Sequence, residues 1–143
     1  MNIKRLIKSL AIPIIVGIVS GLIMMPFNDY SSLNQPPLSP PAILFPIMWS
    51  ILYILMGISA YIIKDNLDIY YFQLFFNGFW PIIFFVFKLY LIAFIWLVIL
   101  IVLVIIMIKR FYQRDKTAGL LQIPYLLWIL FASYLNFGVF ILN

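Results

Sequence analysis

Chemistry in this chain rests with indole, phenol and amide side chains, because little else reactive is present. Trp49, Trp80 and Trp128 lie inside long apolar runs, together with Gln73, Asn77 and Asn136. The sequence has no cysteine and no histidine. That removes disulfides, thiol chemistry, Ser-His triads and the usual zinc or haem-iron ligands. No metal site and no resident cofactor is expected. The 4 acidic residues are too few for a carboxylate pair or proton relay buried in a membrane. The tryptophan-bearing faces therefore offer no acid, base, nucleophile or metal ligand for conventional catalysis. What they offer is a binding surface.

Spacing puts these residues on helix faces. Phe45, Trp49, Tyr53 and Met56 fall at i, i+4, i+8 and i+11, one face of a helix. The segment that feeds this helix carries Pro36, Pro37, Pro40 and Pro41, which lack backbone donors and hold their neighbours extended. A rigid, uncharged lid above an aromatic face suggests a covered pocket for a flat apolar ligand. The plainer alternative is a loop and a packed helix. Gln73, Asn77, Trp80 and Phe84 form a second stripe at i, i+4, i+7 and i+11. Tyr125, Trp128, Ala132 and Leu135 form a third, with Asn136 beside it. Amides at membrane depth must find partners or face a cavity, so interhelical bonding is the competing role for Gln73 and Asn77. Core packing or an interfacial belt is the competing role for the aromatics.

The elements that must position these faces follow from composition. The chain is 66% hydrophobic and 9% charged, with a mean hydropathy of +1.17, outside the range of soluble domains. The expected fold is an all-α integral membrane protein, a single domain of five transmembrane helices. The helices are placed at about 9–27, 42–63, 69–87, 89–108 and 117–142, each long enough to cross a ~30 Å core. Loop one, 28–41, is the pocket lid. The first run is read as a retained helix rather than a signal peptide, because it is long and no A-x-A site follows. Gly17 and Gly21 on it form a small-xxx-small face that permits close helix packing. The fourth helix, apolar all round, is assigned to the outer wall, and its Trp96 packs or faces lipid. Lys4, Arg5, Lys8, Lys64, Lys109, Arg110, Arg114 and Lys116 share one side of the membrane, against Lys88 alone on the other. The positive-inside rule then puts the N-terminus inside, with loop one and the C-terminus outside. This charge pattern marks helix ends and is not a nucleic-acid footprint.

Depth gathers the faces together. Trp49 lies roughly 10 Å and Trp80 roughly 12 Å below the outer face at 1.5 Å per residue, with Trp128 nearer the midplane. Lys88 ends the helix that carries Asn77 and Trp80. It is expected at the pocket rim, pairing with an acidic edge of the ligand, or else snorkelling as a helix-end anchor.

Three separated segments resemble the TspO/MBR family, the translocator proteins or tryptophan-rich sensory proteins, in the form of a prokaryote-type member. They are FPIMWSILYILMGISAY (Phe45–Tyr61), YFQLFFNGFWPIIFF (Tyr71–Phe85) and LLQIPYLLWILFASYLN (Leu120–Asn136). The match covers roughly residues 36–136 and is weak in the first and fourth helices. The resemblance implies a five-helix bundle, usually a homodimer in a bacterial cytoplasmic membrane. It also implies a receptor or sensor for porphyrins and benzodiazepine-type ligands, in a pocket beneath loop one. Pocket residues carried over are Trp49, Tyr53, Asn77, Trp80, Trp128 and Ala132. The alternative it offers is light- and oxygen-dependent porphyrin breakdown with the pocket tryptophans as redox groups. Transport of the bound ligand stays open at this level. Leu38 and Phe140 replace tryptophans common in the family, and Phe137 stands where a sterol motif would have tyrosine, so sterol recognition is not expected.

Overall fold

A computed structural model describes all residues, Met1–Asn143. The chain forms six α-helices and no strand: α1 (Ile3–Met24), α2 (Leu44–Ile63), α3 (Asp68–Pro81), α4 (Tyr90–Arg114), α5 (Lys116–Leu120) and α6 (Ile123–Leu142). Five stretches are long and apolar enough to cross a membrane: Ile3–Phe27, Leu44–Ile63, Asp68–Val86, Tyr90–Arg114 and Lys116–Leu142. The protein is an all-α integral membrane protein built on five such spans.

Several helix ends differ from the expected ones, and for one reason. Charged residues mark where a helix leaves the bilayer, not where it stops. α1 begins at Ile3 rather than 9, because Asn2 caps it by accepting from the Arg5 amide at 3.0 Å. α4 runs past 108 to Arg114, since Lys109, Arg110 and Gln113 are good helix formers with no Gly or Pro among them. The fifth span is divided. Asp115 caps α5 by accepting from the Ala118 amide, and Pro124 restarts the chain in the first turn of α6.

The basic end of the bundle is fastened by its arginines. Arg5 Nη1 donates to the Tyr61 carbonyl at 2.6 Å, with its guanidinium 3.9 Å from the centroid of the Tyr61 ring. Arg114 donates to the carbonyls of Ile63 and Asp65 and pairs with the Asp65 carboxylate at 2.6 Å. These bonds supply donors to carbonyls of the last turn of α2 and of the turn that follows it.

Packing runs α2 to α1, α1 to α3, α3 to α4 and α4 to α6, while α5 touches α2 and α4. α4 corrects the expectation of a helix without a distinct inner face. Ala93, Leu97, Leu100, Val104, Met107 and Phe111 are all buried at alternating steps of four and three residues. Its other face, including Ile92, Ile95, Ile99 and Val102, is exposed, as suits contact with lipid. Trp96 packs: its ring stacks on Phe76 with centroids 4.1 Å apart, and Nε1 donates to the Phe76 carbonyl at 2.7 Å.

α3 ends in a π-helical turn, Ile82–Val86. Pro81 has no N–H to give the Asn77 carbonyl, so the helical ladder loosens there and widens. Lys88 then closes the turn with φ 55°. That widened turn carries Phe84 and Phe85 towards loop one.

Candidate functional site

A cavity of about 760 Å³ opens between α1, α2, α3 and α6 beneath loop one. α4 and α5 contribute nothing to it. All nine side chains expected to bind ligand face this one space: Phe45, Trp49, Tyr53, Asn77, Trp80, Phe84, Trp128, Ala132 and Leu135. α2 supplies the first three at helical spacing, α3 and its π-turn the next three, and α6 the last three.

The walls are aromatic and interlocked. Trp49 stacks on Tyr53 with centroids 5.8 Å apart and an interplanar angle of 27°. Trp128 meets Trp49 edge-on at 6.5 Å and Phe45 at 5.9 Å. Trp80 and Phe84 lie 5.3 Å apart on the facing wall. Contacts in this range and geometry suit the ring quadrupoles. The lining includes no Asp, Glu, Lys or Arg.

Polar groups on the walls largely satisfy one another. Tyr53 Oη donates to Asn77 Oδ1 at 2.8 Å, Asn77 Nδ2 donates to Tyr125 Oη at 2.8 Å, and Tyr125 Oη donates to Gln73 Oε1 at 2.7 Å. Trp80 Nε1 donates to Asn136 Oδ1 at 3.0 Å, and Asn136 Nδ2 donates to the Tyr90 carbonyl. Ser20 Oγ donates to the Gly78 carbonyl at 2.7 Å. Asn77 and Asn136 thus act as bonds between helices and as cavity walls at once, whereas Gln73 lies off the lining and serves only as a bond between helices. Trp128 Nε1 is different: it is buried and has no partner.

Loop one covers the cavity, but not through its prolines. Pro36, Pro37, Pro40 and Pro41 are absent from the lining. Pro36 and Pro37 act as struts instead. Pro36 is buried against Gly138, where an added Cβ would collide with the proline ring. The Pro37 carbonyl accepts from Tyr134 Oη at 2.5 Å. Asn34 and Asn143 exchange two bonds, Asn34 N to Asn143 Oδ1 at 3.1 Å and Asn143 Nδ2 to the Asn34 carbonyl at 2.8 Å. The cover itself is Tyr30, whose ring lies 5.4 Å from Phe45 and 6.5 Å from Phe84. Burial raises the Tyr30 phenol above its ordinary pKa, which keeps it a neutral donor.

Lys88 does not line the cavity. Its ammonium pairs with Asp29 of loop one at 3.0 Å and reaches the Phe27 carbonyl at 3.4 Å. The two α1 glycines separate. A Cβ at Gly17 would strike the Tyr53 ring, whereas one at Gly21 would meet nothing within 4 Å. Both glycines line the cavity. The α1 backbone comes close to α2 at Gly57, where a Cβ would come within 2.8 Å of the Leu10 backbone.

Sequence reasoning missed the α1 wall, formed by residues such as Ile14, Ile18, Ser20 and Leu22. These carry no aromatic or amide signal, and the glycines among them read as a packing seam. Tyr30 was missed because a lone loop tyrosine has no periodicity to place it.

Comparison with known proteins gives concordant results. A sequence model of the TspO/MBR family matches residues 9–142. The tryptophan-rich protein TspO of Archaeoglobus fulgidus is 34% identical, covering 100% of this chain and 99% of its own. The tryptophan-rich sensory protein of Cereibacter sphaeroides is 34% identical over 87% of this chain and 82% of its own. The translocator protein of Ovis aries is 31% identical over 78% of this chain and 72% of its own.

Proposed function

The chain belongs to the TspO/MBR family, and from that premise we propose that it is a membrane receptor or sensor for porphyrins and other flat apolar ligands. The observation that carries this reading is the cavity itself. Its volume of about 760 Å³ is within the range of small-molecule sites. Its walls present stackable rings from three helices, and its polar side chains are mostly engaged with one another. A planar macrocycle gains dispersion and apolar burial there without displacing bound charge. Trp128 Nε1, buried without a partner, supplies a donor for an acceptor atom on the ligand.

The same reading places the basic end of the bundle inside the cell and the covered mouth outside. It takes the working assembly as a homodimer.

Titration of the purified protein with a dicarboxylic porphyrin tests the proposal through tryptophan quenching. Trp49→Phe and Trp128→Phe weaken binding on this account, and Trp96→Phe leaves it unchanged. Equal effects from all three substitutions would indicate partitioning into detergent or lipid and would refute the pocket.

One observation favours a second reading, light-driven porphyrin breakdown. Trp49 of the α2 wall and Trp128 of the α6 wall lie 6.5 Å apart, where both would touch a photoexcited ring and donate electrons, with oxygen as acceptor. Porphyrin loss in light against dark, in the parent and in the Trp49→Phe/Trp128→Phe variant, separates binding from breakdown. Loss that needs light, oxygen and both indoles would establish the second reading.

A further inference from the structure

Two of the four helices around the cavity line it with residues that also face outward. Ile18, Leu22 and Met25 of α1 and Ile54 of α2 line the cavity, yet they are between 45% and 63% exposed. Pro46 and Ser50 of α2 line it and are exposed as well. These residues form two stripes, at i, i+4 and i+7 on α1 and at i, i+4 and i+8 on α2. No lining residue of α3, its π-turn or α6 is exposed. The cavity is therefore walled on those sides and open between α1 and α2.

The glycines show where the two helices part. Towards the basic end a Cβ at Gly57 would meet the Leu10 backbone, and one at Gly17 would strike the Tyr53 ring. One turn nearer loop one, Gly21 is exposed and nothing stands within 4 Å of its Cβ direction. The cleft thus opens on the loop-one side of Gly17, within the spans Ile3–Phe27 and Leu44–Ile63. Its rim suits hydrocarbon. Ser50 carries the only hydroxyl on the two stripes, and it donates to the Pro46 carbonyl at 2.7 Å. No unpaired donor is left facing lipid there.

We propose that the cavity is loaded from the bilayer through this cleft, and that loop one is a fixed roof rather than the entrance. The proposal rests on the reading of the cavity as a site for flat apolar ligands. Such a ligand dissolves in hydrocarbon before it meets the protein, so the membrane concentrates it at the cleft. A planar ring slides in edge-on between the two apolar stripes. The roof contacts stay closed meanwhile, with Asn34 latched to Asn143 and Pro36 seated on Gly138. Asn28 and Ser31 complete the lining on the loop-one side, where polar groups on the trailing edge keep near water. The route thereby selects planar, lipid-soluble molecules whose polar groups lie along one edge.

The full chain in lipid nanodiscs tests the route, read by stopped-flow tryptophan quenching with a dicarboxylic porphyrin. The chain has no cysteine, so introduced thiols react alone. Ser50→Cys carrying a bulky apolar maleimide blocks the cleft, and association and release both slow by about tenfold or more. Asn34→Cys/Asn143→Cys, bridged across the latch by a short bis-maleimide, fastens the roof and leaves the association rate within about twofold of the parent. Unchanged association with the cleft blocked overturns the proposal, and so does association slowed about tenfold with the roof fastened. If the bridge does not form, the Ser50 adduct decides. A parent without saturable quenching at equilibrium sinks the ligand reading and the route with it, whereas a wrong route alone leaves equilibrium affinity intact.

Discussion

Gly17 and Gly21, one helical turn apart on α1, have different surroundings and predict different losses. Gly17 lies against the Tyr53 ring, while nothing stands within 4 Å of the Cβ direction at Gly21. Gly17→Leu forces Tyr53 off its bond to Asn77 and costs about 1–3 kcal/mol by overpacking, read as a lowered melting temperature in detergent. Gly21→Leu leaves the melting temperature near that of the parent. Equal destabilisation by the two would mean that both glycines lie at a packed seam. The sequence showed the pair but not the difference, because a glycine signals room without saying for what. Lys88 poses a similar problem. Its charge and its place at the end of the π-turn were legible, but its partner in loop one was not. Paired with Asp29, both ends partly exposed, it ties the loop down by about 0.2–1 kcal/mol. On that geometry Lys88→Gln and Asp29→Asn each weaken charged and uncharged ligands alike, by a few-fold, and added salt lessens the effect in the parent. If Lys88 pairs instead with a ligand carboxylate, Lys88→Gln lowers affinity for the dicarboxylic porphyrin alone and Asp29→Asn raises it.

At the scale of elements, loop one is the part whose behaviour the structure specifies most. Its prolines announced a rigid segment, and the rigidity is there, but it is spent on docking rather than on lining. Pro36 sits on Gly138, Pro37 accepts from Tyr134, and Asn34 is latched to Asn143. The latch joins residues 109 positions apart, and no local pattern could reveal it. Gly138→Leu displaces Pro36 and lifts Tyr30 from the cavity mouth, and Asn143→Ala removes the latch. Both speed ligand release, with the association rate less affected, in stopped-flow traces of tryptophan quenching. Unchanged dissociation rates would show that the loop is not a cover. The helices themselves were legible from hydropathy, and their ends less so. Charges at Lys4, Arg5, Lys109 and Arg110 read as stops in the sequence, although the helices continue through them. α4 was read as uniformly lipid-facing because a packed face and an exposed face can both be Ile, Leu and Val, and only Ala93 and Met107 hint at the difference.

For the molecule as a whole, the charge asymmetry and the cavity make the two claims that matter most. Eight of the nine basic residues were assigned from sequence to one side, and the fold uses Arg5 and Arg114 at that end to close α2. The chain is free of cysteine, so single cysteines report topology without background. A cysteine at Ser31 is labelled in intact cells by an impermeant reagent, and one at Asn66 only after permeabilisation. The reverse pattern would invert the orientation. Three of the cavity walls are legible because aromatic and amide residues recur on them at helical spacing, and the fourth, on α1, is silent because its aliphatic side chains and glycines carry no aromatic or amide signal. That silent wall gives the most direct test of the account. Porphyrin affinity is measured for the parent and for Gly21→Leu, with the thermal stability of both recorded in the same detergent. The account predicts a stable protein whose affinity falls at least tenfold, because leucine occupies the volume the ring needs. A stable Gly21→Leu variant that binds porphyrin as tightly as the parent would contradict it, and would place the ligand outside this cavity.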